Sequence, residues 1–118
     1  MQRDLKAWLW DVQSAAADIQ RFVIGLDLAA YASSELVHSA VERKFEIIGE
    51  ALSQLAKASP ETASRIPKLP RIIGFRNRLI HGYAQVNHAT VWSAVHESLP
   101  ALQYAVRALL TELGDGES

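Results

Sequence analysis

The sequence predicts an all-α fold, an antiparallel bundle of four to five helices in one domain, residues 1–118. Apolar residues recur at three- and four-residue steps along most of the chain, which is the period of a helix buried on one side. Prolines, glycines and serines stand between these segments, where they favour helix ends. No stretch shows the alternation of apolar and polar residues that is typical of a half-buried strand.

The first predicted helix runs from Leu5 to Val23. Its apolar positions form one stripe, made by Leu5, Trp8, Leu9, Val12, Ala15, Ala16, Ile19, Phe22 and Val23. Gly25 is expected to end this helix, because glycine is favoured just beyond the last helical residue. Residues 27–31 are expected to add a short helical turn.

The second long helix is predicted to begin at Ser33 or Ser34, because either hydroxyl can accept a hydrogen bond from the first turn. The helical period continues to Ala58, and Ser59 followed by Pro60 ends it. Residues 59–70 contain three prolines and are predicted to be a loop.

The third helix is predicted to open at Leu69 and Pro70, since proline is tolerated at the first helical position. It runs through RIIGFRNRLI, and Gly82 stands where the residue just past a helix end belongs. A last helical region begins within residues 87–90, and Pro100 is expected to kink or restart it. Residues 114–118 are expected to form a frayed tail.

The charges are distributed unevenly along the chain. The net charge of −1 gives no overall attraction for nucleic acid. Residues 62–96, however, contain no Asp or Glu, whereas they hold Arg65, Lys68, Arg71, Arg76 and Arg78. Two interpretations stay open: this window forms a basic face for a partner that bears phosphate, or acidic residues from elsewhere in the chain fold back onto it.

The composition excludes several classes of protein. The chain has no cysteine, which rules out disulfides and zinc sites built on thiolates and is compatible with a reducing cytoplasm. Its first residues lack the pattern of a signal peptide, and no apolar run approaches the ~18 residues of a membrane span. We therefore expect a cytoplasmic protein that does not act in a membrane.

The stretch RNRLIHGY, residues 76–83, is unusually rich in polar and ionisable side chains for a helix end. On a regular helix Asn77 and His81 lie about 40° apart, whereas Arg76 lies about 140° from His81. Arg76 and His81 can converge if the helix unwinds at Gly82, if the long arginine reaches over, or if two copies meet across a dimer axis.

These side chains have the chemistry needed to cleave RNA without a metal. His81 lies in the predicted last turn, where the helix dipole favours its protonated form, and histidine can act as acid or base near neutrality. An arginine such as Arg76 can bind a phosphate through two hydrogen bonds and stabilise added negative charge. The alternative is a helix terminus that merely carries cations suited to the dipole.

Metal-dependent catalysis is the competing enzymatic interpretation. A di-metal bundle needs two Glu-x-x-His motifs on different helices. Glu35 and His38 have that spacing, but no second copy exists, so we expect no metal site. Glu46 and Glu50 are one helical turn apart and are expected to face solvent, unless one of them orients Arg76 or Arg78.

Four segments together resemble the HEPN superfamily, in particular its HepT-type branch of small bacterial toxins. They are KFEIIGEALSQLA, RIIGFRNRLIHGY, VWSAVHESLPAL and the long first helix, which together span roughly residues 4–112. The R-x4-H motif of that family falls on Arg76 and His81, and its extended form adds Tyr83. R-x4-H alone carries little information, but RN-x-LIHGY after IIG is specific.

The resemblance implies a dimer in which both copies of the motif face one cleft. It implies a metal-independent endoribonuclease that leaves cyclic phosphate ends, without a cofactor. Arg76 would bind the scissile phosphate and His81 would transfer the proton. We assign Asn77 and Arg78 to substrate positioning.

The resemblance also implies a toxin–antitoxin pair of the type VII kind. The partner would be a minimal nucleotidyltransferase antitoxin, which neutralises the toxin by attaching AMP to Tyr83. The alternative from another class of protein is a non-catalytic helical module that binds a nucleotidyltransferase or RNA through the same face.

Overall fold

The computed structural model describes residues 4–81 and 87–114. These residues form helices joined by short turns, and they include no strand. The helices are α1 (Leu5–Phe22), α2 (Leu28–Ser33), α3 (Glu35–Ala58), α4 (Pro60–Ala63), α5 (Leu69–His81), α6 (His88–Ser93) and α7 (Leu99–Glu112). One π-helical turn, Ala94–Ser98, joins α6 to α7. The predicted all-α bundle is confirmed, whereas Gly82, Tyr83 and most of the predicted tail lie outside the described residues.

Helix α3 is the centre of the bundle. It packs along α1 on one side and α5 on another, while α7 packs against α1. The side chains that meet there are apolar and most are fully buried, among them Leu9, Val12, Ile19, Val41, Ile48, Leu52, Leu55, Val91, Leu99 and Val106. None of the described helices is both long and apolar enough to cross a membrane.

The predicted helix boundaries rest on specific caps. Of the two candidate serines, Ser34 caps α3, and its hydroxyl accepts a hydrogen bond from the Val37 backbone N–H at 3.2 Å. Asn87 caps α6 in the same way, accepting from Ala89 N–H at 2.7 Å. Gly25 follows α1 with φ +78°, a left-handed conformation that favours glycine.

The prediction of a loop over residues 59–70 is wrong for its first part. Pro60 to Ala63 form a helical turn, capped by Ser59, whose hydroxyl accepts from Thr62 N–H at 3.3 Å. The same Ser-Pro pair that ends α3 can begin a helix, because a proline at the first position loses no helical hydrogen bond.

Pro100 stands in the first turn of α7, directly after the π turn. The helical backbone continues through Ser98 and Leu99 without a break. Because proline has no N–H to donate to the preceding turn and its ring crowds that turn, the wider π turn there accommodates it. The predicted disturbance at Pro100 therefore takes the form of a π turn within a continuous helical region.

Candidate active site on helix α5

Gly49 allows α5 to lie very close to α3. A Cβ atom added to Gly49 would lie 2.3 Å from the Cβ atom of Arg76 and 2.5 Å from its Cγ atom. Real side-chain atoms do not approach so closely. The stem of Arg76 therefore occupies the space that a side chain at position 49 would need. The arginine can lie there because residue 49 is a glycine and has no side chain.

The guanidinium of Arg76 is held in a defined direction. Its Nη2 atom donates to Glu50 Oε1 at 2.5 Å, and Nη1 donates to Asn77 Oδ1 at 3.0 Å. Glu50 also accepts a hydrogen bond from Gln54 Nε2 at 3.1 Å, which restrains the carboxylate. Since the Arg76 side chain keeps 25% of its exposure, the guanidinium is oriented and still accessible from solvent.

The two glutamates named in the sequence analysis differ in their roles. Glu50 is the one that orients Arg76, as the sequence analysis allowed for one of the pair. Glu46, one turn earlier on α3, accepts instead from Arg43 Nη1 at 3.1 Å. Glu50 therefore belongs to the candidate site, and Glu46 forms a local pair within its own helix.

Arg76 lines an open groove between α1, α3 and α5. Its volume of about 680 Å³ is within the range of ligand-binding clefts. The lining combines apolar, acidic and basic side chains: Trp8, Ile47 and Ile80; Asp11, Glu46 and Glu50; Arg43, Lys57 and Arg76. Acidic and basic side chains are equal in number here, and Arg43 and Arg76 are each paired with a glutamate of α3.

His81 is the last residue of α5 and is exposed. His81 and Arg78 are the basic residues of the last helical turn. The third residue of the predicted motif, Tyr83, lies outside the described residues.

Arg78 lies on a different side of α5 from Arg76. Its guanidinium carbon is 5.7 Å from the centroid of the Phe75 ring, and it lines a second groove of about 260 Å³ together with Lys68 and Arg71. The structure therefore brings Asn77 to Arg76, and it places Arg78 in a separate groove.

One of the two interpretations of the acid-free window is confirmed in part. Glu112 pairs with Arg65, and Glu50 pairs with Arg76, so acidic residues do fold back onto the window. Lys68, Arg71 and Arg78 line the second groove, together with Glu97, and form no ion pair with another described residue. Binding of a phosphate-bearing partner by this window stays a prediction.

A cluster of potential metal ligands lies outside the predicted site, and the sequence analysis missed it. His38 and Glu42 of α3 and His88 of α6 place one ligand atom each within 4.8 Å of one another. The sequence analysis paired His38 with Glu35, three residues earlier. The carboxylate that lies beside His38 belongs to Glu42, four residues later, and no sequence spacing points to the distant His88.

Comparison with known proteins agrees with the family that the sequence resembles. The family model described as "Ribonuclease HepT-like" matches residues 12–109. "Putative RNase MJ0125" from Methanocaldococcus jannaschii is 31% identical over 112 residues, 95% of this chain and 96% of that protein. "Probable ribonuclease HepT" from Thermococcus cleftensis is 31% identical over 106 residues, 87% of this chain and 93% of that protein. No solved structure gives a significant match.

A helical bundle with a basic, histidine-containing helix end is therefore found in a chain whose relatives are named as ribonucleases. The chain belongs to the HepT-like ribonuclease family of the HEPN superfamily, as the sequence resemblance predicted. This membership supports a ribonuclease function.

Proposed function

We propose that this protein is a metal-independent endoribonuclease toxin whose active site is built from Arg76 and His81. One observation carries the proposal: the Arg76 guanidinium is oriented by Glu50 and Asn77 at the edge of an open groove, on the same helix that ends at His81. Because the guanidinium is already held in place, a phosphate that enters the groove meets an ordered arginine.

The chemistry requires only a base, an acid and a cation. His81 removes the proton from a ribose 2′-hydroxyl, and the 2′-oxygen attacks the adjacent phosphorus. The bond from phosphorus to the 5′-oxygen breaks, and that oxygen receives a proton from imidazolium. The products are a 2′,3′-cyclic phosphate and a 5′-hydroxyl. Arg76 stabilises the charge that the phosphate gains in the transition state.

The protein acts as a dimer in this proposal. On a regular helix Arg76 and His81 point about 140° apart, so one copy of α5 does not direct both at a single phosphate. Two copies facing each other supply the arginine and the histidine from opposite sides of one cleft. The exposed Ile80, 44% accessible and part of the lining of the Arg76 groove, provides apolar surface for such a contact.

The RNA substrate extends beyond the cleaved phosphate. Asn77 keeps Arg76 in position, and Arg78 binds a neighbouring phosphate from the second groove together with Lys68 and Arg71. Contacts of this kind add affinity without reading sequence, because every nucleotide offers the same phosphate.

Tyr83 is the proposed control point. A minimal nucleotidyltransferase antitoxin attaches AMP to its hydroxyl, two residues after His81. The added phosphate repels the RNA backbone, and the nucleoside occupies space that the substrate needs. The protein and this partner form a toxin–antitoxin pair of the type VII kind.

The test is growth of bacterial cultures that express the wild-type chain or the His81→Ala variant, with RNA ends mapped from the same cultures. We expect arrest and new cyclic phosphate ends with the wild type alone. If the folded wild-type protein causes neither, the chain is the non-catalytic alternative, a module that binds RNA or a nucleotidyltransferase.

A second assay tests the independence from metal. Cleavage of RNA by the purified protein is expected to continue at an undiminished rate in excess EDTA. Loss of cleavage in EDTA, with the helical circular dichroism unchanged, would contradict the metal-independent mechanism.

A further inference from the structure

Three helices meet at a polar cluster away from the Arg76 groove. His38 and Glu42 are one turn apart on α3, His88 is the first residue of α6, and the fully buried Tyr31 of α2 lies against both imidazoles. Arg76 and His81, the proposed catalytic pair, are not part of this cluster.

The distances within the cluster are too long for hydrogen bonds. Glu42 Oε2 lies 3.8 Å from His38 Nδ1 and 3.9 Å from His88 Nδ1, beyond the usual range for N–H···O contacts. Both Nδ1 atoms are shielded from solvent, and neither has a hydrogen-bond partner among the described residues. Leaving such an atom unsatisfied costs about 1–3 kcal/mol, so two of them facing one carboxylate require an explanation.

The two imidazole rings are also close to each other, with centroids 4.1 Å apart at an interplanar angle of 34°. The cluster therefore brings two candidate nitrogen ligands and one candidate oxygen ligand together from two helices.

A cation bound between the three atoms would satisfy all of them. Zinc binds imidazole nitrogen and carboxylate oxygen at about 2.0–2.2 Å, so two of its tetrahedral ligands lie roughly 3.3–3.6 Å apart. The two separations between the carboxylate and the imidazoles, 3.8 and 3.9 Å, exceed this by a few tenths of an ångström, and all three atoms lie within 4.8 Å of one another. Side-chain rotations would have to bring the three atoms closer around the ion.

We propose that His38, Glu42 and His88 form a binding site for a divalent transition-metal ion, with Zn²⁺ as the expected ion. Two imidazoles and one carboxylate suit zinc, whereas magnesium and calcium prefer sites made of oxygen atoms alone. The three side chains are 18%, 25% and 34% exposed, in that order, so the cluster lies near the surface of the bundle.

The site has a structural consequence for the fold. The ion would join α3 to α6, both of which pack against α2. Tyr31 of α2 is in edge-to-face contact with both imidazoles, with centroid separations of 6.2 and 6.1 Å. His88 follows His81 by seven residues, so the ion would anchor the chain shortly after the proposed catalytic histidine.

The experiment uses the full chain without an affinity tag, treated with a chelator and then titrated calorimetrically with Zn²⁺. We expect one zinc ion per chain for the wild type. His88→Ala and Glu42→Gln are each expected to weaken zinc binding by at least about 100-fold. Mutating a residue that only hydrogen-bonds to a metal ligand weakens binding by up to about 100-fold, and these two residues are proposed as ligands themselves. Saturating zinc is expected to raise the melting temperature of the wild type and of neither variant.

The matched control is His96→Ala, because His96 is an exposed histidine that stacks on Trp92 and is not part of the cluster. It should bind zinc as tightly as the wild type. The proposal is wrong if the wild type binds no stoichiometric zinc, because the cluster would then hold only water. It is also wrong if Glu42→Gln binds zinc as tightly as the wild type does. Glu42→Gln keeps the shape of the side chain, so it decides the question even if His88→Ala does not fold. None of these measurements depends on ribonuclease activity.

Discussion

At position 49 the hydrogen atom of a glycine determines where Arg76 can lie. A methyl group there would meet the Cβ and Cγ atoms of the arginine, the least mobile part of its side chain. The contact cannot be relieved by rotating the distal guanidinium. Either α5 must move away from α3 or Arg76 must leave the groove.

We therefore predict that Gly49→Ala destabilises the protein by about 1–3 kcal/mol, the usual cost of overpacking a tight contact. Ribonuclease activity should fall as well, because Arg76 would be displaced. Urea denaturation gives the free energy of unfolding, and RNA cleavage gives the activity.

Gly74→Ala is the matched control on α5. A Cβ atom at Gly74 would have no atom within 4 Å, and the position is exposed. Alanine should stabilise this helix by roughly 0.5–1 kcal/mol, because it restricts the unfolded chain more than glycine does. Equal destabilisation by both substitutions would show that the Gly49 contact is unimportant.

Glu50 is predicted to be a positioning residue for Arg76. Glu50→Gln keeps the length of the side chain and removes the charge that attracts the guanidinium. We expect cleavage to slow between about 10- and 100-fold, the effect that a misplacement of about 1 Å can have. The helical circular dichroism should not change.

Glu46→Gln supplies the comparison, because Glu46 pairs with Arg43 and not with Arg76. It should cleave RNA at the wild-type rate. A similar loss in both variants would point to a general effect of the acidic charge on the groove and not to orientation of Arg76.

At the scale of elements, the start of α6 deserves a test because it places His88. The Asn87 side chain accepts hydrogen bonds from the N–H groups of Ala89 and Thr90 at 2.7 and 3.3 Å. Asn87→Ala should lower the free energy of unfolding by about 1 kcal/mol and weaken zinc binding, since the first turn of α6 would fray.

Asn87→Asp retains an oxygen atom that can accept the same two hydrogen bonds. Its stability should therefore match that of the wild type in urea denaturation. If Asn87→Asp is as unstable as Asn87→Ala, the cap is not the reason for the effect.

At the scale of the whole molecule, two ion pairs tie distant parts of the chain together. Asp18 of α1 accepts from Lys44 of α3 at 2.9 Å, and Glu112 of α7 pairs with Arg65 in the segment before α5. Hydrogen bonds from Lys44 and then Arg21 hold the pKa of Asp18 below 3.8, and Arg65 holds the pKa of Glu112 below 4.5.

These lowered pKa values predict a pH-dependent stability. A carboxylate whose pKa is lower in the folded state stabilises the fold above its unfolded pKa, and this contribution is lost as the pH falls through the folded pKa. A variant with Asp18→Asn and Glu112→Gln should have a lower urea midpoint than the wild type at pH 7. The difference should narrow below pH 4.5 and shrink in high salt, because both pairs are on the surface. A constant difference from pH 7 to 3 would contradict this.

The sequence predicts the helices of this molecule well because each long helix carries its own apolar stripe and its own end signals. Ser34 and Pro100 act as the local rules require. The short α4 was missed because its serine and proline also fit a helix stop. Local signals of this kind do not depend on how the helices cross.

The candidate site was predicted only in part, because its geometry depends on how helices cross. The motif identified Arg76 and His81, but the close approach of Gly49 follows from the packing of α5 on α3. Arg78 is two residues from Arg76 and still faces another groove. The His38, Glu42 and His88 cluster joins residues fifty positions apart, which no local pattern reveals.

The π turn at Ala94–Ser98 adds one residue to the helical region that leads into α7. Its hydrogen bonds span five residues where those of an α-helix span four, so this turn contains one residue more. The turn absorbs that residue, so Val91 and Val95 before it and Leu102 and Val106 after it all reach the same core. Removing one residue within the turn would let it close as an ordinary α turn with the stripe of α7 still facing the core. A one-residue deletion should therefore cost less stability here than the same deletion in the middle of α7.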